Sequence, residues 1–375
     1  MKNKTITALA AAAVMALALT ACSGQASSGE SDDQAGSEIP SASAVETART
    51  SIEAIVENPT PFTVTEELES LPTGARVAII DCGTPICALM ANISQEPVEL
   101  LGMSATVIQT GHTADSIAAA FDTIIADGYD GVMVTGVQFP LWERQFEQLR
   151  DAGVAVATTG IIGLPDDFDA ALSAEVWNEH AGSWLADWVV SQGEPAASSV
   201  IYRTPELGFT SDIVTAYEQR VAELCDQCAV RVVDLPIATL ATTGAQTIVD
   251  DLTANPGTSI AVLSIGEQAT GLPAAMSVAG IDIPVTMYGA APAQLTDIVN
   301  GDLHSSLTLD SRALVWTLID TLARQIVGQN VSAGAAGDEL ITQIVTADNL
   351  SGDMSMGWSG YPDMTERFKK LWQIG

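Results

Sequence analysis

Residues 131–160 read GVMVTGVQFPLWERQFEQLRDAGVAVATTG, and this stretch decides the fold. GVMVTG (131–136) is apolar on both faces, as a strand buried from two sides must be. Residues 141–151 are helical and stop at Gly153, and VAVATTG (154–160) returns to the apolar strand pattern. A strand, a helix and a second doubly buried strand predict a parallel sheet covered by helices on both sides.

The same rhythm continues in both directions. Upstream lie RVAIID (76–81), a helical stretch over 87–101 that Pro97 kinks or shortens, and SATVIQ (104–109). Ile117, Phe121, Ile124 and Ile125 then mark one face of a helix. Downstream, the strand segments are SSVIYR (198–203), AVRVVDL (229–235), SIAVLSIG (259–266), PVTMYG (284–289) and HSSLTLD (304–310). Helical patterns separate them: 178–192 with Trp184, Leu185, Trp188 and Val189; Ile213, Tyr217, Val221 and Leu224; Ile248, Val249 and Leu252; and 267–280. Leu314, Leu318, Leu322 and Ile326 define a long late helix. Two strand–helix arrays predict an α/β chain of two Rossmann-like, doubly wound lobes joined by a hinge of about three strands. The expected boundaries are 75–175 plus 311–338 for the first lobe and 176–310 plus 339–350 for the second. Residues 351–375 form a tail that Trp358, Tyr361 and Trp372 are expected to pin to the body.

The N-terminus reads MKNKTITALAAAAVMALALTAC. Lys2 and Lys4 form a basic head, residues 5–18 an apolar run too short to span a bilayer, and Ala21 a small residue before a cut. The segment (1–21) resembles a bacterial lipoprotein signal peptide, which implies that Cys22 receives the lipid. Residues 22–43, rich in Ser, Gly, Asp and Glu, read as a flexible tether, and 44–74 as a short helix followed by an extended, proline-containing lead-in. The expected location is the outer face of the cell membrane, with the lipid as the sole membrane contact.

Composition agrees with export. With 47 acidic against 14 basic side chains, the net charge is −33. That field repels nucleic acid and anionic headgroups, so neither is an expected partner. An apolar fraction of 47% is enough for large cores. Beyond Cys22, the cysteines fall into CGTPIC (Cys82, Cys87) and CDQC (Cys225, Cys228). In an oxidising compartment such close pairs favour local disulfides. Zinc would need ligands from pairs far apart in the chain. A redox CxxC would need its first cysteine at a helix N-terminus, whereas CDQC follows a helix and precedes a strand.

In open α/β sheets, ligands bind beyond the C-terminal ends of the strands. The residues there are the candidate site: Thr84 after the first strand, Gln138 and Phe139 after the third, Thr159 at the end of the fourth, then Arg203, Glu267, Gln268, Tyr288 and Asp310. Arg203 could donate to a ligand oxygen or pair with a surface carboxylate. Trp177 and Phe209 could stack on a ligand or belong to the core. Glu267 and Asp310 could accept from ligand hydroxyls or cap the helices they precede. No GxSxG, HExxH, GxxxxGK[ST] or GxGxxG motif is present, and His112, His180 and His304 lack metal-ligand spacing. No catalytic residue, metal or cofactor is expected.

The order of these elements over residues 75–350 resembles the type I periplasmic binding proteins, the ribose-binding and related sugar-binding proteins of ABC importers. The resemblance is carried by the first loop at 82–87, by DGYDGVMVTGV with DAGVAVATTG, and by GEQATGLPAAMSVAGIDIPVTMYG. The lead-in with CGTPIC is similar to a lipoprotein subgroup with a paired-cysteine first loop. The resemblance implies a monomeric, non-enzymatic solute-binding protein that closes on a sugar or sugar-like molecule and delivers it to an ABC permease. The same fold also serves as a sensor for a membrane receptor, and an exported enzyme would need a nucleophile or metal. The sequence departs from the sugar binders at several positions. Thr159-Gly160 stands where they carry Asp-Arg, and Ile213 near their helical arginine. Gly266-Glu267 replaces Asn-Asp, Gly289 an aspartate, and Asp310 a glutamine or asparagine.

Overall fold

The computed structural model describes residues 39–111, 113–165, 168, 170–172, 174–332 and 340–375. Cys22, most of the expected tether, His112 and residues 333–338 lie outside them. The described residues begin with α1 (Ala42–Glu57), capped by Ser41 Oγ accepting from Ala44 N. It continues through β1 (Arg76–Asp81), α2 (Pro85–Ile93), α3 (Gln95–Leu100), β2 (Ser104–Gln109) and α4 (Ala114–Asp127). Then come β3 (Gly131–Thr135), α5 (Glu143–Asp151), β4 (Ala155–Thr159) and the two-residue β5 (Ala171–Leu172). The second array is α6 (Glu175–Ser191), β6 (Ser198–Arg203), α7 (Gly208–Leu224), β7 (Ala229–Asp234), α8 (Gly244–Ala254), β8 (Ile260–Leu263), α9 (Leu272–Ala279), β9 (Val285–Tyr288), α10 (Pro292–Asn300) and β10 (Ser305–Leu309). The chain ends with α11 (Ser311–Val327), β11 (Thr342–Thr346) and α12 (Met364–Leu371).

Two sheets form. The first has strand order β2-β1-β3-β4-β5 and is parallel throughout. The second has order β11-β10-β9-β8-β6-β7, parallel except for β11, which runs antiparallel to β10. Each sheet is covered on both faces. Alternate strand residues follow the pleat to opposite sides: Val77 and Ile79 face a core with α2, α3 and α11, while Ala78 and Ile80 face one with α4 and α5. In the second sheet, Val200 and Tyr202 meet α8, α9 and α10, and Ile201 meets α1, α6 and α7.

Pro97 does shorten the expected helix. The chain breaks at Ser94, so Pro97 falls in the first turn of α3, where a missing N–H costs nothing. The strand expected over 259–266 ends at Leu263, and Gly266–Ala269 forms a 3-10 turn, so α9 starts only at Leu272.

The connections between the sheets exceed the three expected. One runs from β5 to α6, one from β10 to α11, and one from α11 to β11. Two more come from the ends of the described chain. Helix α1 packs against α6 and β11 of the second lobe, and the lead-in then crosses to the first. Thr60 anchors that crossing, its N–H donating to Thr342 O at 2.9 Å and its hydroxyl to Leu340 O at 2.6 Å. Val64 and Leu68 are already in the first lobe's core. The tail crosses in the same direction: Trp358 is in the second lobe's core, while Met364, Phe368 and Trp372 are in the first's. Tyr361 Oη donates to Thr60 O at 3.1 Å, joining the two crossings.

A buried ion pair fastens both ends to α11. Arg324 and Asp320 are fully buried, with Nε to Oδ2 at 2.7 Å. Arg324 also donates to the carbonyls of Glu66 and Glu67, and Trp372 Nε1 donates to Asp320 Oδ1 at 2.7 Å. Trp372 stacks on Trp316 with centroids 5.3 Å apart.

Candidate functional site

Between the C-terminal ends of the two sheets lies a cavity of about 220 Å³. The first lobe contributes the loop and helix start after β1 (residues 82–87 and Met90), Thr135 and Gly136 from β3, and Thr159 and Gly160 from β4. The second contributes Leu207 and Phe209, Ile237 and Leu240, Ile265 and Glu267, and Tyr288 to Ala290. Leu309, Ser311 and Leu314 close the hinge side. Both sheets reverse their winding direction where the wall is formed, β1 against β3 and β6 against β8, which is where open α/β sheets leave a crevice.

The two walls touch. Ile86 N donates across the cleft to Glu267 Oε1 at 3.3 Å. Gln138 Nε2 donates to the carbonyl of Glu206, whose own carboxylate accepts from Ile237 N at 3.3 Å. Phe209 lies over Gly160, so close that a Cβ there would stand 3.6 Å from its Cδ1.

The wall loops are locally stiffened. Thr84 caps α2, its Oγ1 accepting from Cys87 N at 3.4 Å, and Pro85 takes the first helical position. The Cys82–Cys87 disulfide closes the same loop, and a second disulfide joins Cys225 and Cys228 after α7. Both expected pairs are present. Replacing Cys82 and Cys87 together by Ser should cost about 2 kcal/mol of stability in urea unfolding, from the loop-closure term of a short cross-link. Ligand affinity should fall with it, because both cysteines are part of the wall. An affinity equal to that of the unaltered protein would show that the cross-link does not shape the site.

Of the candidates named from sequence, Thr84, Thr159, Phe209, Glu267 and Tyr288 line the cavity. The other six do not. Gln138 sits at the cleft's lip, holding Glu206. Phe139 turns inward with its 3-10 turn and packs edge-on against Trp142 and Phe146. Trp177 lies behind the wall, where its Nε1 donates to Tyr288 Oη at 2.9 Å and so orients a wall residue. Arg203 pairs with Asp234 on the neighbouring strand, Nε to Oδ1 at 2.8 Å and Nη2 to Oδ2 at 3.1 Å. Gln268 follows Glu267 on a 3-10 turn, which sends successive side chains in different directions, and it bonds Thr204 Oγ1 at 3.0 Å instead. Asp310 caps α11 through Ala313 N at 2.9 Å and receives Gly360 N from the tail at 2.9 Å. The sequence reading missed the apolar wall, notably Ile86, Met90, Leu207, Leu240 and Leu314. At the ends of apolar strands and helices such residues are indistinguishable from core.

Glu267 is the only Asp, Glu, Lys, Arg or His on the wall among the described residues. It is 8% exposed, and burial pushes its carboxyl up, against the pull of backbone donors that include Ile86 N. Burial likewise raises Asp310 and Asp212. A carboxyl with a higher pKa in the folded than in the unfolded chain keeps its proton longer in the fold. Stability therefore falls as pH rises from about 4 through the folded values. Relief of net negative charge on acidification acts in the same direction. The melting temperature should rise as the pH is lowered from 7.5 toward the ordinary carboxylate range in calorimetry. Glu267→Gln should flatten part of that slope. A melting temperature that falls on acidification would contradict this. Among the described residues, no group of three or more His, Cys, Asp or Glu side chains could hold a metal ion.

Residues 81–330 match the profile of the periplasmic binding protein domain. No curated protein matches the chain in sequence. The fold is similar to several solved structures. The Caulobacter myo-inositol binding protein bound to myo-inositol has a TM-score of 0.65 at 17% identity, covering 76% of this chain and 96% of its own. An ABC sugar transporter subunit from Rhodobacter sphaeroides has a TM-score of 0.63 at 15% identity, covering 74% and 99%. An ABC transporter solute binding protein from Agrobacterium vitis with bound allitol has a TM-score of 0.62 at 17% identity, covering 80% and 100%.

Proposed function

Because the chain belongs to the periplasmic binding protein domain family, we propose that it is an extracytoplasmic solute-binding protein of an ABC importer. It captures a small sugar or sugar-like molecule between its lobes and presents the closed form to the permease. The lipid on Cys22 holds it at the membrane, and residues 22–43 set its reach. The observation that supports this most is the cavity itself, enclosed by loops from both sheets that touch across the cleft. A ligand there contacts both lobes at once only when they are together, so it stabilises that arrangement by its differential contacts. The names of the similar structures, which include sugar, myo-inositol and allitol binders, favour a small neutral solute. No described helix is long and apolar enough to cross a membrane.

The test is a melting-temperature screen of the purified protein against sugars, polyols, nucleosides, aromatic alcohols and amino acids, followed by small-angle scattering with any hit. A ligand that binds only the native state raises the melting temperature by mass action. A rise of several degrees together with a smaller radius of gyration is expected. No response to any class would overturn the binding-protein reading.

A further inference from the structure

Apart from the hydroxyls of Thr159, Thr270 and Ser311, the cavity wall has few polar side chains to offer a ligand. Thr84 is engaged in capping α2, and Thr135 Oγ1 donates to Ile80 O at 3.1 Å. Tyr288 Oη receives Trp177 Nε1. Glu267 already accepts Ile86 N at one oxygen. Against these stand Ile86, Met90, Leu207, Phe209, Leu240 and Leu314, drawn from both lobes and the hinge. A free pyranose or inositol presents hydroxyls around its whole circumference, and each one buried without a partner is a penalty against binding.

We propose that the cavity takes an uncharged ring compound with a broad apolar face and only one or two hydroxyl groups, one of them hydrogen-bonded to Glu267, and that it discriminates against free sugars. This rests on the binding-protein reading and replaces the free sugar of that reading by a ring with fewer hydroxyls. Size agrees: an apolar cavity of ~150 Å³ accepts a single benzene ring, and this one is about 220 Å³. Phe209 supplies a flat face at the mouth, its ring centroid 6.5 Å from that of Tyr288. Glu267 is the polar end. Its carboxyl is buried, which pushes its pKa up, and it can hydrogen-bond a ligand hydroxyl without needing a counter-charge on the ligand.

The experiment compares two probe sets on the same purified protein by melting temperature and isothermal calorimetry. One set is 4-hydroxybenzyl alcohol, catechol and cyclohexane-1,2-diol. The other is D-glucose, D-ribose and myo-inositol. At least one ring alcohol should bind ten times more tightly than any of the sugars. Phe209→Ala should weaken that binding at least tenfold. Glu267→Gln, which keeps an oxygen for Ile86 N, should weaken it less than Phe209→Ala does. If a sugar binds as well as or better than the ring alcohols, the inference fails while the importer reading stands. If neither set binds, the inference fails, and the broader screen above decides the importer reading.

Discussion

Arg324→Ala should cost about 3–5 kcal/mol of unfolding free energy, the range for removing one partner of a buried ion pair. The substitution leaves the Asp320 carboxylate uncompensated in a fully buried position on α11. It also strips donors from the carbonyls of Glu66 and Glu67, and it loosens the partner of Trp372 Nε1. The loss should therefore spread beyond α11. Hydrogen exchange should speed up in both the lead-in around Leu68 and in α12, since Leu68 N donates to Leu371 O at 2.8 Å. Urea unfolding gives the energy. A loss below about 1 kcal/mol, the scale of an exposed pair, would mean that the pair is not what fastens the two ends.

Gly266→Ala should damage the site more than its single added methyl suggests. A Cβ on Gly266 would sit 2.5 Å from Gly289 O and 3.1 Å from Ala290 Cα. Both contacts are backbone, so the loops after β8 and β9 must separate. Overpacking of this kind costs about 1–3 kcal/mol. The displaced segments carry Glu267 on one side and Gly289 on the other, and both line the cavity. Ligand binding should fall at least tenfold, beyond what the stability loss explains. Gly257→Ala is the control, because nothing lies within 4 Å of its would-be Cβ. Equal effects from the two substitutions would contradict the close-approach argument.

The strands of both sheets were legible because parallel strands covered on two faces are continuous apolar runs, as in RVAIID and GVMVT. Helices with a clear apolar stripe, such as α4 and α11, were legible for the same reason. Four elements were not, α12 within the expected tail among them. β5 is two residues long, and β11 reads TQIVT, with polar residues buried by hydrogen bonding, as where Thr342 Oγ1 donates to Thr308 O at 2.8 Å. α10 starts at Pro292 with a short polar sequence. Of the site, topology gave the loops but not the side chains. Gln268 and Glu267 are neighbours with opposite fates, decided by the direction of one 3-10 turn. Asp310 took the capping role that its place before a helix offered, whereas no spacing in the sequence announces Asp234 as the partner of Arg203. Both terminal crossings depend on contacts between residues some 300 positions apart, as at Thr60 and Tyr361.

Those crossings place the two ends of the folded body on different lobes, α1 on the second and α12 on the first. The angle between the lobes is thereby converted into an end-to-end distance. A donor fluorophore on α1 and an acceptor on the exposed side of α12 would report each closing event as a change in energy transfer, with no label near the cleft. The protein is in this sense already wired as an optical gauge of its own occupancy.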